Sequence, residues 1–207
     1  MKSRDTKYNV NDPLVDNTNL ILKNKLNIES SEKLEKKEAE CLAQAYEKLS
    51  LEYSDKHIFS EKDVQYIHFV FLENIYDWAG EYRTVDISSD KIRWCHAAYI
   101  PNQMKVFGKM LENTTPFNQK LKRDELLRKL AKIHGELIII HPFRDGNGRI
   151  TRLLCDLLMM QAGKLPLDQT RLENENERQK YYAAINQVWK EAKYEKLIEM
   201  MGLMINF

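Results

Sequence analysis

The sequence lacks most of the features that announce a special environment. Lys and Arg number 32 against 31 Asp and Glu over 207 residues, so no global field draws nucleic acid or an anionic membrane. Any anion site in such a chain has to be local. Cysteine is scarce: Cys41, Cys95 and Cys155 are odd in number, far apart, and form no CxxC or Cys/His ligand cluster. That argues against a disulfide framework and predicts a reduced, cytoplasmic protein. No apolar run approaches a membrane span, and the opening MKSRDTKYNV is too polar for a signal peptide. Internal repeats and low-complexity linkers are missing too. A phosphate loop of the Gly-Lys-Ser/Thr type does not occur, and His134 and His141, with Glu136 out of place, lack the i, i+4 spacing of a zinc hydrolase.

What is present is helical periodicity, and with 43% hydrophobic residues the chain can bury the core of one domain, or of one domain with an appended segment. Residues 1–29 read as polar and irregular, with a short piece from Leu20 to Leu26 docking on the core. From Ser31 the chain places Leu34, Leu42, Tyr46 and Leu49 on one face, and its Lys/Glu mixture reads as solvated. Ser60 with Asp63 predicts a cap for a helix whose stripe is Val64, Ile67, His68, Phe71, Leu72 and Ile75. On that stripe His68 reads as a hydrogen-bonded core histidine. Pro101 opens another helix with Met104, Phe107 and Leu111 inward. Asp124 leads a stripe from Leu126 to Ile138. A later helix, Glu175 to Ala192, has Tyr181, Tyr182, Ile185 and Trp189 spaced for burial, and Leu197 to Met204 closes the chain. Only Arg83–Ile87 and Ile92–Cys95 alternate, predicting a β-hairpin exposed as a flap. The fold class is therefore all-α, a helical bundle with one small β-hairpin flap, residues 1–60 forming an N-terminal helical extension on a 61–207 core.

Two of only seven glycines fall in His141-Pro142-Phe143-Arg144-Asp145-Gly146-Asn147-Gly148-Arg149-Ile150-Thr151-Arg152, between strongly apolar flanks. Pro142 disfavours helix at His141, so one helix ends there and the next begins around Gly146 to Gly148. Glycines there let backbone N–H groups approach a ligand, and the first-turn donors have no intrahelical partner; with the helix dipole they form an anion site. Arg149 and Arg152, three apart, share a helix face and suit a polyphosphate. Asp145 opposes an anion unless a hard cation such as Mg²⁺ bridges it to the phosphates. His141, with an ordinary pKa of about 6.5, can take a proton from an attacking hydroxyl. Each residue also has a plain structural reading: turning glycines, an Asp145 cap, a capped core His141, an Arg152–Asp156 pair. Cys155 sits inside an apolar helix with nothing basic to activate it.

The twelve residues from His141 to Arg152 resemble the signature of the Fic family, and Ile75–Arg83 resembles the stretch leading into that family's flap. Asp12-Pro13 with Leu22–Leu26 resembles the N-terminal part of many bacterial members. The resemblance implies a helical protein adenylyltransferase (AMPylase) that moves AMP from ATP to a Tyr, Thr or Ser hydroxyl of a target protein and releases pyrophosphate. It implies His141 as base, Asp145 holding Mg²⁺, Gly146, Asn147 and Gly148 as anion hole, and Arg149 and Arg152 on the triphosphate. Phe143 would anchor the loop, and Lys91, Ile92, Arg93 and Trp94 of the flap would clamp the target by strand addition. Tyr181, Tyr182 and Asn186 are expected near the adenine. Self-inhibited members carry Ser/Thr-x-x-x-Glu-Gly/Asn, whose Glu pairs with the second arginine. Here Ser31–Glu35 is followed by Lys36, and Glu173-Asn174 is preceded by Gln169 where Ser/Thr is expected. A separate small antitoxin protein is the expected inhibitor, with a type II topoisomerase as a candidate target and cell filamentation as the toxin-like outcome. Transfer of phosphocholine or UMP, or a non-catalytic interaction module, are the alternatives.

Overall fold

The computed structural model describes residues 15–16, 21–88 and 92–205. Among these, seven α-helices carry the chain: α1 (Ser31–Glu52), α2 (Glu61–Leu72), α3 (Ile100–Thr114), α4 (Arg123–Ile140), α5 (Asn147–Gln161), α6 (Glu175–Glu191) and α7 (Glu195–Met204). The all-α expectation holds. The antiparallel ladder among the described residues, β1 (Val15–Asp16) with β2 (Ile21–Leu22), pairs two residues on each side. It lies in the segment expected to be irregular. Leu20, Asp12 and Pro13 lie outside the described residues, while Ile21 and Leu22 are buried as a docking piece should be.

Local chemistry sets the helix ends. The Ser60 N–H donates to the Asp63 carboxylate at 2.7 Å, closing the capping box that starts α2. Pro101 sits in the first turn of α3, where its missing N–H costs nothing. At the end of α4, His141 turns left-handed with φ 51° ahead of Pro142, and α5 starts from a left-handed Gly146. Gly163 follows α5 at φ 66°, a left-handed stop.

The pair α4 and α5 is the axis of the bundle. α4 also packs on α3, α6 and α7; α2 lies on α5, and α1 covers α2 and α5. Leu130, Leu137, Ile150, Leu153, Leu154 and Leu158 are fully enclosed between them. Two stripes are rotated from their sequence reading. On α1 the buried residues are Leu34, Glu38, Cys41, Ala45 and Leu49, with Leu42 and Tyr46 half-buried. On α6 Tyr181, Ala184, Ile185 and Val188 face inward, leaving Tyr182 50% and Trp189 37% exposed. One residue is about 100° of helix, enough to carry the neighbour of a buried position to the rim.

The flap differs more. Instead of a ladder, the described part shows one isolated bridge, Ser88 to Arg93, and Lys91 lies outside the described residues. Side chains do much of what a ladder would. The Arg83 guanidinium donates to the carbonyls of Val85 at 2.7 Å and Cys95 at 2.5 Å, and the Ala97 N–H donates to the Asp86 carboxylate at 2.7 Å.

Close approach of α3 to α2 depends on Gly108. A Cβ there would lie 2.8 Å from the Glu61 Cβ and 2.9 Å from its backbone nitrogen. Gly108→Ala is therefore expected to lower stability by about 1–3 kcal/mol, the usual cost of overpacking. Urea unfolding checks this; an unchanged midpoint would show that α2 and α3 slide apart freely.

Candidate active site

Three supports hold the loop between α4 and α5. First, its backbone is clamped: the His141 carbonyl accepts from Arg83 Nε at 2.8 Å, and the Pro142 carbonyl accepts from the Arg83 N–H at 2.9 Å. Second, the loop closes on itself. The Phe143 N–H donates to Asn147 Oδ1 at 2.9 Å, and Asn147 Nδ2 returns a bond to the Phe143 carbonyl at 2.7 Å. The Asn147 side chain is thus committed to the loop, and what it offers a ligand is its backbone amide. Third, His68 braces the loop from α2. It stacks on Phe143 with ring centroids 3.8 Å apart and planes within 9°, and its Nε2 donates to the Asp145 carbonyl at 3.1 Å. Its Nδ1 accepts from the Gly80 N–H at 2.8 Å, which requires the Nε2–H tautomer. The core-histidine reading is correct, and Phe143, with no exposure, is the expected anchor.

This bracing explains why position 146 is glycine. Its φ is +81°, and a Cβ would press on Leu72, Phe71 and His68 at 3.2–3.4 Å. From here the first turn of α5 presents its amides, and the helix dipole adds a partial positive charge.

The polar side chains then converge. His141 is 6% exposed; its Nδ1 faces the Ile138 carbonyl at 3.1 Å, and a carbonyl only accepts. In the neutral ring the proton therefore sits on Nδ1 and the lone pair on Nε2. Trp94 of the flap lies on the imidazole, centroids 4.4 Å apart. Asp145 is 4% exposed and reaches Arg149 Nη2 at 3.2 Å. Arg149 also pairs with Glu38 of α1, and its guanidinium lies 4.9 Å above the Phe71 ring. Burial alone would lower the Arg149 pKa, but the carboxylates of Asp145 and Glu38 carry it above its ordinary value, so it is a permanent cation. Arg152 Nε donates to Gln169 Oε1 at 3.0 Å, and Gln169 Nε2 bonds Asp156 at 2.8 Å. The direct Arg152–Asp156 pair is thus replaced by a link through an amide.

These groups border an open cavity of about 850 Å³. His141, Asp145, Gly146, Gly148, Arg149 and Arg152 line one side, Tyr181, Tyr182 and Asn186 of α6 another, and Ile92 and Trp94 the mouth. A base, a carboxylate, helix-end amides and two guanidiniums thus meet one nucleotide-sized space.

Residues 58–159, which contain this loop, match the Fic/DOC family. This chain belongs to the Fic/DOC family. The "Probable protein adenylyltransferase Fic" of Salmonella typhimurium is 34% identical over 97 residues, 47% of this chain and 48% of that protein. The chain therefore spans about half the length of that relative. The protein of the same name in Escherichia coli K12 is 29% identical over 143 residues, 69% of this chain and 70% of that one. The crystal structure of BepC, a VirB-translocated effector of Bartonella tribocorum with AMPPNP bound, superposes with a TM-score of 0.75 at 17% identity. It covers 93% of this chain and 96% of that one, and the likeness is one of fold.

Sequence reading missed three residues of this Fic site. Glu38 was hidden in a charged stretch, although its i, i+4 spacing from Leu34 puts it on the inward stripe. Arg83, 5% exposed, looked like one position of an alternating strand. Gln169, in the 3₁₀ turn Gln169–Glu173, left no periodic signal at all. Cys155 is fully enclosed and burial pushes its thiol pKa far up, but the expectation of nothing basic beside it fails: its Sγ lies 3.7 Å from His134 Nδ1.

Burial lowers His68 to a pKa of about 3, and burial, aided by the nearby Arg152 charge, does the same to His134. Both imidazoles are neutral when folded and protonate near 6.5 when unfolded. Their contribution to stability is complete above about pH 6.5 and is lost as pH falls towards 3. Each adds a slope of roughly 1.4 kcal/mol per pH unit inside that window. Urea midpoints between pH 4 and 6.5 should show it, and His68→Gln should remove one imidazole's share; an identical slope in that variant counts against a neutral His68.

Proposed function

We propose that the chain is a protein adenylyltransferase, moving AMP from ATP to a Tyr, Thr or Ser hydroxyl of a target protein. The observation that carries this reading is His141 at the edge of a nucleotide-sized cavity with Nδ1 turned to the Ile138 carbonyl, which in a neutral ring puts the proton on Nδ1 and suits Nε2 to act as a base. The names of the Salmonella and Escherichia relatives support the same chemistry.

In this reading ATP lies across the mouth of α5. The amides of Gly146, Asn147 and Gly148, with Arg149 and Arg152, take the phosphate charge, and the α6 side with Tyr181, Tyr182 and Asn186 faces the adenine. Among the described residues no cluster of three His, Cys, Asp or Glu could cage a metal by itself. Asp145 alone, opposite substrate phosphates, nonetheless suits Mg²⁺, which keeps waters and pairs one or two carboxylates with phosphate oxygens. Bound there, Mg²⁺ supplies charge neutralisation on the phosphates. The target hydroxyl gives its proton to His141 Nε2 as its oxygen bonds the α-phosphorus, and the bond to pyrophosphate breaks. Positioning and preorganised charge provide most of the acceleration. Ile92, Arg93 and Trp94 form the target-facing edge; Lys91, expected beside them, lies outside the described residues. Phosphocholine or UMP donors would use the same loop and remain an outcome of the labelling test.

Purified protein with labelled ATP, Mg²⁺ and bacterial lysate should label protein bands, and His141→Ala should slow labelling by roughly 10²–10⁴. Labelling that survives the substitution rejects the base assignment. A chain that gives no label and no heat with ATP and Mg²⁺ in calorimetry is an interaction module instead.

Inhibition, in this proposal, comes from a separate small antitoxin. Arg152 is held by the neutral amide of Gln169, Glu35 is exposed on α1, and Glu173 is exposed at the cavity rim. The chain expressed alone is expected to be toxic, with filamentation if a type II topoisomerase is the target, and His141→Ala harmless. Activity appearing only after Glu35→Gly or Glu173→Gly would reveal an internal brake.

A further inference from the structure

The N-terminal helix α1 reaches into the site, and the nucleotide reading gives that reach a purpose. Glu38 is fully enclosed, yet it is a carboxylate on an otherwise apolar stripe with Leu34, Cys41, Ala45 and Leu49. One of its oxygens pairs with Arg149, 111 residues away in sequence, and the other accepts the Tyr76 hydroxyl at 2.5 Å. The second guanidinium nitrogen of Arg149 reaches Asp145 at 3.2 Å. That is beyond the roughly 2.7–2.9 Å of a strong charge-assisted bond. One guanidinium is thus shared between two buried carboxylates, and Phe71 beneath it fixes the plane of the fork.

We propose that Glu38 is a positioning residue of the triphosphate site: by holding Arg149 it limits that arginine's grip on the Asp145 carboxylate, the group that would meet a divalent cation. The inference rests on the nucleotide reading above. Asp145 stands just ahead of the left-handed Gly146 that starts α5, and Arg149 lies in the first turn, so the two are close enough to pair. Left to themselves, they would close into a tighter ion pair. Glu38 takes half of the fork, so Asp145 keeps a weaker hold on it. The charge sum changes as well. Glu38, Asp145 and Arg149 together carry one net negative charge, which favours a cation and opposes bare polyphosphate. The same helix steadies the other arginine: the Tyr46 hydroxyl donates to Asp156 at 2.7 Å and accepts from Gln169 at 2.9 Å, and Gln169 holds Arg152. The helix read as an outer extension is in this way the back wall of the phosphate site.

The test is calorimetry of ATP binding to the full chain, once with Mg²⁺ and once with EDTA. Wild type, Glu38→Gln and Glu47→Gln are compared, the last being an exposed glutamate of α1. Glu38→Gln keeps shape and an acceptor for Tyr76 but removes the charge. Metal-free ATP is expected to bind it several-fold more tightly, and the gain in affinity on adding Mg²⁺ should shrink by roughly ten-fold. Glu47→Gln should match wild type. Opposite movements of the two affinities are something a merely structural prop does not produce. A parallel loss in both conditions, or an unchanged Mg²⁺ gain, overturns the assignment. If a thermal melt shows that Glu38→Gln does not fold, Glu38→Asp replaces it. Its shortened reach should also reduce the Mg²⁺ gain, and an undiminished gain rejects the role. A wild-type chain that takes no ATP under either condition sinks the transferase reading first, and the two failures are told apart by that control.

Discussion

A single buried imidazole ties the active loop to the rest of the molecule. His68 uses both ring nitrogens, one towards the Asp145 carbonyl and one from the Gly80 amide, while its face covers Phe143. Each contact satisfies a polar group that would otherwise be stranded in an apolar interior. The geometry tolerates only the neutral ring, and burial enforces that state. The stripe of α2 that seats His68 is thereby coupled to the position of Asp145 and to the start of α5. The close fit of Gly146 against Leu72, Phe71 and His68 follows from the same constraint.

Arg83 does for the flap what His68 does for the loop. Its guanidinium gathers the carbonyls of His141, Val85 and Cys95, joining both arms of the flap to the residue that carries the base. A short hairpin of this kind is weak alone, because a two-stranded ribbon buries little. Anchoring it through a buried cation gives it a fixed place with few ladder bonds. Trp94 can then lie over His141 and shield one face of the imidazole from water. The flap and His141 are therefore one mechanical unit.

Much of the helical plan was legible in the chain because burial on a helix repeats every three or four residues. The stripes of α2, α3 and α4 stand where the apolar positions put them. The ends of α4 and α5 were readable from Pro142 and Gly146, which constrain the backbone locally. Positions at the edge of a stripe were less secure. Tyr182 and Trp189 look as apolar as Tyr181, and only the direction in which α6 leans decides which of them reaches solvent. The flap was read as a ladder because alternation records side-chain faces, while the inward turn of Arg83 depends on carbonyls far away in sequence.

The sequence by itself determined which groups the site contains, since the His141–Arg152 run brings base, carboxylate, glycines and arginines together within a few turns of one chain. It also determined that the frame is helical. Tertiary structure decided how those groups are aimed. Glu38 is over a hundred residues from Arg149, and Gln169 reaches Tyr46 across 123. Such pairings carry no periodic or neighbouring signal, because they arise only when α1 closes against α5. In a lysine- and glutamate-rich helix only the spacing of Glu38 from Leu34 hints at burial, and its partner, Arg149, is known only once the helices pack.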